Sequence, residues 1–134
     1  MRYFFLALIS LSFIVVGCGK KSETVKVSGR VTMDDRPLSN AQVHFQLLGS
    51  DGKPDPSKES AGQTDGEGRY SLTRVLDKTD GAVPGNYRVE IHAIERSRTG
   101  IRELIPSQYN KQSKLTFTVP SGGATDANFD LKSK

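Results

Sequence analysis

Asp65 and Glu67 sit in the stretch QTDGEGRYSL, Gln63 to Leu72, with glycines at 66 and 68. Carboxylates at alternating positions are the raw material of a calcium loop. Calcium, however, takes about six to eight oxygens, and an EF-hand-type loop closes with a further glutamate. Here RYSL follows with no carboxylate, so the pair falls short of a coordination shell. The glycines at 66 and 68 offer the positive φ of a tight turn, and an aspartate readily bonds its own backbone two residues on. The stretch is expected to turn the chain, not to hold a metal. The two histidines, His44 and His92, are the next candidates. Zinc needs about three or four converging ligands, and no other histidine and only one cysteine exist to complete a set. Each histidine is expected as a surface residue, although the pair would meet Glu90 if their strands were neighbours. Serines are plentiful, but a nucleophile needs a base within reach and a third group to orient it. No G-x-S-x-G elbow occurs, and TVPSGGAT (118–125) lacks the lysine and following helix of a phosphate cradle. No catalytic, cofactor or metal site emerges, and the chain is expected not to be an enzyme.

The elements that would position these residues are read from period-two alternation, which puts every second side chain on one face of a strand. VKVSGRVTM places Val25, Val27 and Val31 inward, with Lys26, Ser28, Arg30 and Thr32 outward; Gly29 marks a bulge or a close backbone approach. DDRPLSN turns the chain, since Pro37 has no N–H to give a ladder. AQVHFQL then sets Ala41, Val43, Phe45 and Leu47 inward, and the two strands read as a hairpin. LGSDGKPDPSKES is too rich in Gly, Pro, Ser and Asp for a strand interior. RYSLTRV puts Tyr70, Leu72 and Arg74 on one face. NYRVEIHAI is the clearest strand, with Tyr87, Val89, Ile91 and Ala93 inward. KLTFTV and ANFDL contribute Leu115, Phe117, Val119, Phe129 and Leu131. No helical window shows apolar recurrence at three and four residues. The pattern predicts about seven short strands in antiparallel sheets that each bury one face, the signature of an all-β sandwich.

Between NYRVEIHAI and KLTFTV, ERSRTGIRELIPSQYNKQS reads as a long connection. ERSRTGIR concentrates arginines that could dock an acidic polymer or partner, although a solvated flexible loop is the favoured reading. Leu104, Ile105, Pro106 and Tyr109 are too apolar for a free loop and are expected to cover an open sheet edge.

The N-terminus reads differently. Arg2 gives a short positive region, Tyr3 to Val16 is apolar apart from Ser10 and Ser12, and a small residue follows at Gly17. That run is too short to span a bilayer, which needs about 20 apolar residues. VVGC, Val15 to Cys18, resembles the bacterial lipobox. The resemblance implies a leader over 1–17, cleavage before Cys18, a diacylglycerol on the Cys18 thiol, and acylation of the new amine, with palmitate the expected chain. Each buried CH₂ contributes roughly 0.8 kcal/mol, so two or three chains suffice for stable anchoring. Residues 18–24 would form a lipidated tether. Gly19 replaces the aspartate with which that class retains proteins at the inner membrane, which favours the outer membrane, facing the periplasm or the exterior. A lone cysteine excludes an internal disulfide.

SAGQTDGEGRYSL together with VSGRVTMDDRPLSNAQVHFQ is similar to the carboxypeptidase regulatory-like domain, a transthyretin-like Greek-key module. The matching residues are Gly29, Val31, Pro37, Leu38, Ala41, Val43, Thr64, Asp65, Gly68 and Tyr70. DGAVPGNYRVEI, LIPSQYN and ANFDL extend the resemblance to the small lipoprotein version of planctomycete-type bacteria, over residues 25–134. One departure is Asp35-Arg36-Pro37, where that family carries a glycine. The resemblance implies a seven-stranded sandwich without enzymatic activity and does not supply a partner.

Composition bounds the rest. Loss of Arg2 with the leader takes 19 Lys and Arg to 18, against 15 Asp and Glu, a net +3 spread along the chain. Such a spread is not the clustered basic face of a nucleic-acid binder. The expectation is therefore an exported, membrane-anchored module without catalysis, with a structural or interaction role toward an envelope protein or polysaccharide. The alternative is a carbohydrate- or peptide-binding accessory lipoprotein. Aromatic platforms would be expected for that alternative, and the chain has no tryptophan.

Overall fold

Alternating β-branched and aromatic residues build strands because each strand can bury one face and solvate the other. The computed structural model describes residues 23–134. The expected leader, Cys18 and the expected tether as far as residue 22 lie outside the described residues. Eleven strand segments follow in order: β1 (Ser28–Met33), β2 (Arg36–Pro37), β3 (Gln42–Leu47), β4 (Ser60–Gln63), β5 (Arg69–Ser71), β6 (Thr73–Arg74), β7 (Gly85–His92), β8 (Ile94–Ser97), β9 (Gly100–Glu103), β10 (Leu115–Val119) and β11 (Phe129–Leu131). No α-helix occurs among the described residues, and none of their helices is long and apolar enough to cross a membrane.

The chain is an all-β protein of packed sheets. A five-stranded sheet has the order β10-β7-β3-β4-β6, a four-stranded one is built from β11, β1, β2 and β5, and β8 and β9 pair only with each other. The inward residues are those the alternation predicts: Val27, Val31, Val43, Phe45, Tyr87, Val89, Ile91 and Leu131 are all buried. Phe45 of the larger sheet lies 6.1 Å from Phe129 of the smaller, centroid to centroid, and 5.8 Å from Phe117, so aromatic edges lock the two layers together.

Three expectations are corrected. β1 and β3 do not form a hairpin: β1 pairs with β11, β2 and β5, whereas β3 pairs with β4 and β7. The chain reverses tightly after Met33, pairs over two residues of β2, and then crosses at Leu38–Asn40 to the other sheet. Asp34 and Asp35 make that reversal, at φ 48° and 64°. Positive φ at both central residues is the requirement of a type I′ turn, so two aspartates do the work for which the resembling family uses glycine. Secondly, β1 and β11 run parallel; alternation specifies which face is buried but not the direction of the neighbour. Thirdly, eleven segments form among the described residues instead of about seven. Two-residue β2 and β6 are returns too short to show a period, and β8 and β9 lie where a flexible loop was expected.

Segment 104–113 does cover an edge. β10 reaches β7 only from Gly85 to Val89. Beyond it Ile105 enters the core, the Ser113 hydroxyl bonds the Val89 carbonyl, and the Tyr109 hydroxyl receives the Lys132 N–H at 3.0 Å. Leu104 stays exposed.

Candidate functional site

Asp65 closes the turn before β5. Its Oδ1 accepts the backbone N–H of Arg69 at 3.0 Å and of Glu67 at 2.9 Å, and these bonds hold its carboxyl below the ordinary aspartate value. Gly68 takes φ 75°; Gly66 does not use the positive φ expected of it. Every polar contact of the Asp65 side chain serves the backbone, so this stretch has a geometric role.

The outer face of the five-stranded sheet gathers the histidines. β3 and β7 are neighbours, with His44 opposite Glu90 and His92 opposite Gln42. The two rings meet edge to face at 5.9 Å. His44 Nδ1 lies 2.7 Å from Glu59 Oε1, and His92 Nδ1 lies 3.2 Å from Glu103 Oε2. Glu90 stands between His92 Nε2 (3.4 Å) and Arg88 (2.6 Å), which also donates to Gln46. Each ring is thus occupied by carboxylates, and among the described residues no three His, Cys, Asp or Glu side chains are placed to hold a metal ion. What the network does is tie β9 and the segment before β4 to the sheet face.

The outer face of the smaller sheet is a trough. Lys26, Ser28 and Arg30 point outward from β1 and the residues before it, and Arg69 and Ser71 from β5. The register sets Arg30 directly across from Arg69, and Ser28 across from Ser71. Gln63, Thr125 and Asn128 complete an open groove of about 510 Å³. A second depression of about 320 Å³ shares Ser28, Ser71 and Thr125 with it and adds Lys26, Thr73 and Asp80. Arg30 Nε donates to the Glu67 carbonyl at 3.0 Å, and Arg69 pairs with the Glu67 carboxylate at 3.0 Å.

The floor of this trough has an unusual lock. Parallel pairing would send the Arg30 N–H to the Ala127 carbonyl, but that N–H goes to Asn128 Oδ1 at 2.9 Å. The buried Tyr70 hydroxyl reaches across and donates to Ala127 O at 2.6 Å. A Cβ on Gly29 would collide with the same carbonyl, so Gly29 is the close approach its place in the strand predicts. Burial raises the Tyr70 phenol well above the ordinary tyrosine value, keeping it a donor.

The third surface is the β8–β9 arm, all of whose strand residues are exposed. Arg96 stands opposite Ile101 and Ile94 opposite Glu103, on one face. Ile101 is 69% exposed, and Ile94 and Leu104 are also open to solvent. Arg102 pairs with Glu95 at 3.1 Å, while Arg96 and Arg98 have no carboxylate partner among the described residues. The arm was not legible as an element, because its apolar residues follow no strand period.

Cys18, the one site residue the sequence singles out, lies outside the described residues. No family model matches the chain, and no characterised protein matches it significantly in sequence.

Proposed function

We propose that this chain is a non-catalytic, lipid-anchored module of the cell envelope, a carboxypeptidase regulatory-like, transthyretin-like sandwich held at the membrane through Cys18. In that reading the β8–β9 arm meets an acidic protein surface. The observation behind it is the arm's position. β1 is preceded by Val25, bridged to Ala82 just before β7 begins, and runs toward the Asp34 turn; the chain then crosses to Gln42, which pairs with His92. The arm follows His92 directly. It therefore leaves the end of the sandwich opposite to the entry of the N-terminal segment, about 25 Å away along the eight residues of β7. A tether at one end and an exposed, arginine-bearing arm at the other is the arrangement of a module that presents a surface away from its anchor. Exposed Ile101 beside unpaired Arg96 offers apolar contact together with bidentate chemistry for carboxylates.

The test has two parts. Cys18→Ala should move the protein from the detergent phase to the aqueous phase, and unchanged partitioning refutes the anchor. A photo-crosslinker at Ile101 in intact cells should give a discrete adduct to an acidic protein that disappears in the Arg96→Glu/Arg98→Glu variant. An adduct indifferent to that charge reversal refutes the docking role.

The polar trough favours a second reading, a carbohydrate-binding accessory protein. Its lining of hydroxyl, amide and guanidinium groups suits a polyhydroxylated ligand.

A further inference from the structure

The sandwich spends two arginines in a way that folding does not reward. Like charges directly opposite each other on an antiparallel pair are destabilising, yet the register of β1 and β5 sets Arg30 against Arg69 on the solvent face. One carboxylate, Glu67, lies 3.0 Å from Arg69, while Arg30 is held over the trough by its Nε bond to the Glu67 backbone carbonyl. No side chain or carbonyl engages the Arg30 Nη groups among the described residues. The other nearby carboxylate, Asp65, has its Oδ1 committed to the turn. The guanidinium ends of two directly opposite residues, whose Cβ atoms stand about 5 Å apart, can close together on one planar anion. Guanidinium is suited to that task because it offers paired, parallel N–H donors.

The surroundings say what carries the anion. Besides the two arginines and the turn-bound Asp65, the groove is lined by Ser28, Ser71, Gln63, Asn128 and Thr125. They present hydroxyls and amides and no exposed apolar side chain that would receive a peptide's hydrophobic residue. The groove does not end at the arginines, since the adjoining depression shares Ser28, Ser71 and Thr125. It brings in Lys26, which stands on the same outward row as Arg30, about 13 Å along the strand. Asp80 marks the far end. Cationic groups at two points, the facing Arg30 and Arg69 and then Lys26 further along the same open channel, fit an extended chain better than a single small anion.

From this we infer that the trough binds an acidic polysaccharide, with the carboxylate of a uronic acid residue clamped between Arg30 and Arg69 and a further acidic group reaching Lys26. This rests on the carbohydrate-binding reading above and is independent of the arm. Glu67 competes with the ligand for Arg69, so in the free protein it holds that guanidinium in place.

The experiment uses the full chain in detergent micelles and isothermal titration against oligogalacturonate, with a neutral oligosaccharide of the same length and a poly-glutamate peptide as comparators. Oligogalacturonate should bind saturably and the other two at least tenfold more weakly. Arg30→Ala and Arg69→Ala should each weaken binding about tenfold, and Arg30→Lys nearly as much, because an ammonium keeps the charge and loses the fork. Glu67→Gln should strengthen it two- to fivefold. Arg96→Ala and Arg98→Ala, on the arm, should leave it unchanged, and thermal melts check that each variant is folded. Equal binding of the neutral sugar overturns the anion clamp while leaving a carbohydrate role standing. Absence of binding to either sugar overturns both. Equal binding of poly-glutamate, or loss of binding with the arm variants and not with Arg30→Ala, overturns the assignment of the ligand and of the site.

Discussion

Replacing Tyr70 with phenylalanine isolates the lock beneath the trough. The ring is 4% exposed, and phenylalanine fills the same space, so the perturbation is the hydroxyl alone. That hydroxyl gives Ala127 O its bond at 2.6 Å, and the backbone donor that would replace it is already turned to Asn128. Ala127 is fully buried, so water has no access to the freed carbonyl. A typical intramolecular hydrogen bond is worth about 1 kcal/mol net, and a buried acceptor left unmade costs about 1–3 kcal/mol. Tyr70→Phe should therefore destabilise the fold by about 2 kcal/mol. For a domain of this size that is a fall in Tm of about 8 °C. Urea denaturation should show a lower midpoint with an unchanged slope, the mark of lost stability without a change in the surface exposed on unfolding. A shift below about 2 °C would refute the reasoning, since it would mean that the Ala127 carbonyl is satisfied without Tyr70.

Two further outcomes follow from the turns. Asp35→Gly should raise stability by about 0.5–1 kcal/mol, because φ 64° costs an aspartate about 1–2 kcal/mol and glycine much less; the contact it loses, to Lys132, is solvent-exposed and worth little. A lower urea midpoint for this variant counts against the type I′ turn. Asp34, Asp55, Asp65 and Asp77 all have carboxyls held below the ordinary value of 3.8, chiefly by hydrogen bonds, from the distant Ser133 for Asp34 and from residues two to four positions on for the other three. A depressed folded-state value stabilises fully above the unfolded value and is lost as pH falls through the depressed one. The melting temperature should accordingly be flat from pH 7 to about 5 and drop below about 4, with a shallower drop for Asp65→Asn; an acid limb identical in that variant shows that Asp65 takes no part.

The inward faces were legible because alternation is local. Val43, Phe45, Val89 and Ile91 are apolar at every second position, and each is fully buried. Partner choice is not local, so the same pattern that placed Val31 inside also suggested a hairpin with β3 that does not exist. The arm was missed for a different reason. Its strands are charged and exposed on both faces, so hydrophobicity carries no period there, and pairing rests on the backbone ladder and the turn at Arg98 and Thr99. The facing histidines were half legible: their outward placement follows from the strand period, while their meeting depends on β3 and β7 being neighbours. Arg30 reads as an ordinary outward residue and nothing in the sequence singles out Arg69; only the register makes them a pair.

Pairing of β1 with β11 joins the start of the sandwich to its finish. The bond between Arg30 and Asn128 spans 98 positions, and on that flank Val31, Thr32 and Met33 find their neighbours at Phe129, Asp130 and Leu131. Closing so large a loop costs entropy before any contact repays it, and topologies of this kind assemble slowly. A chain cut short by a handful of residues at its tail would leave its opening strand with an unpaired backbone edge and take Phe129 and Leu131 out of the core.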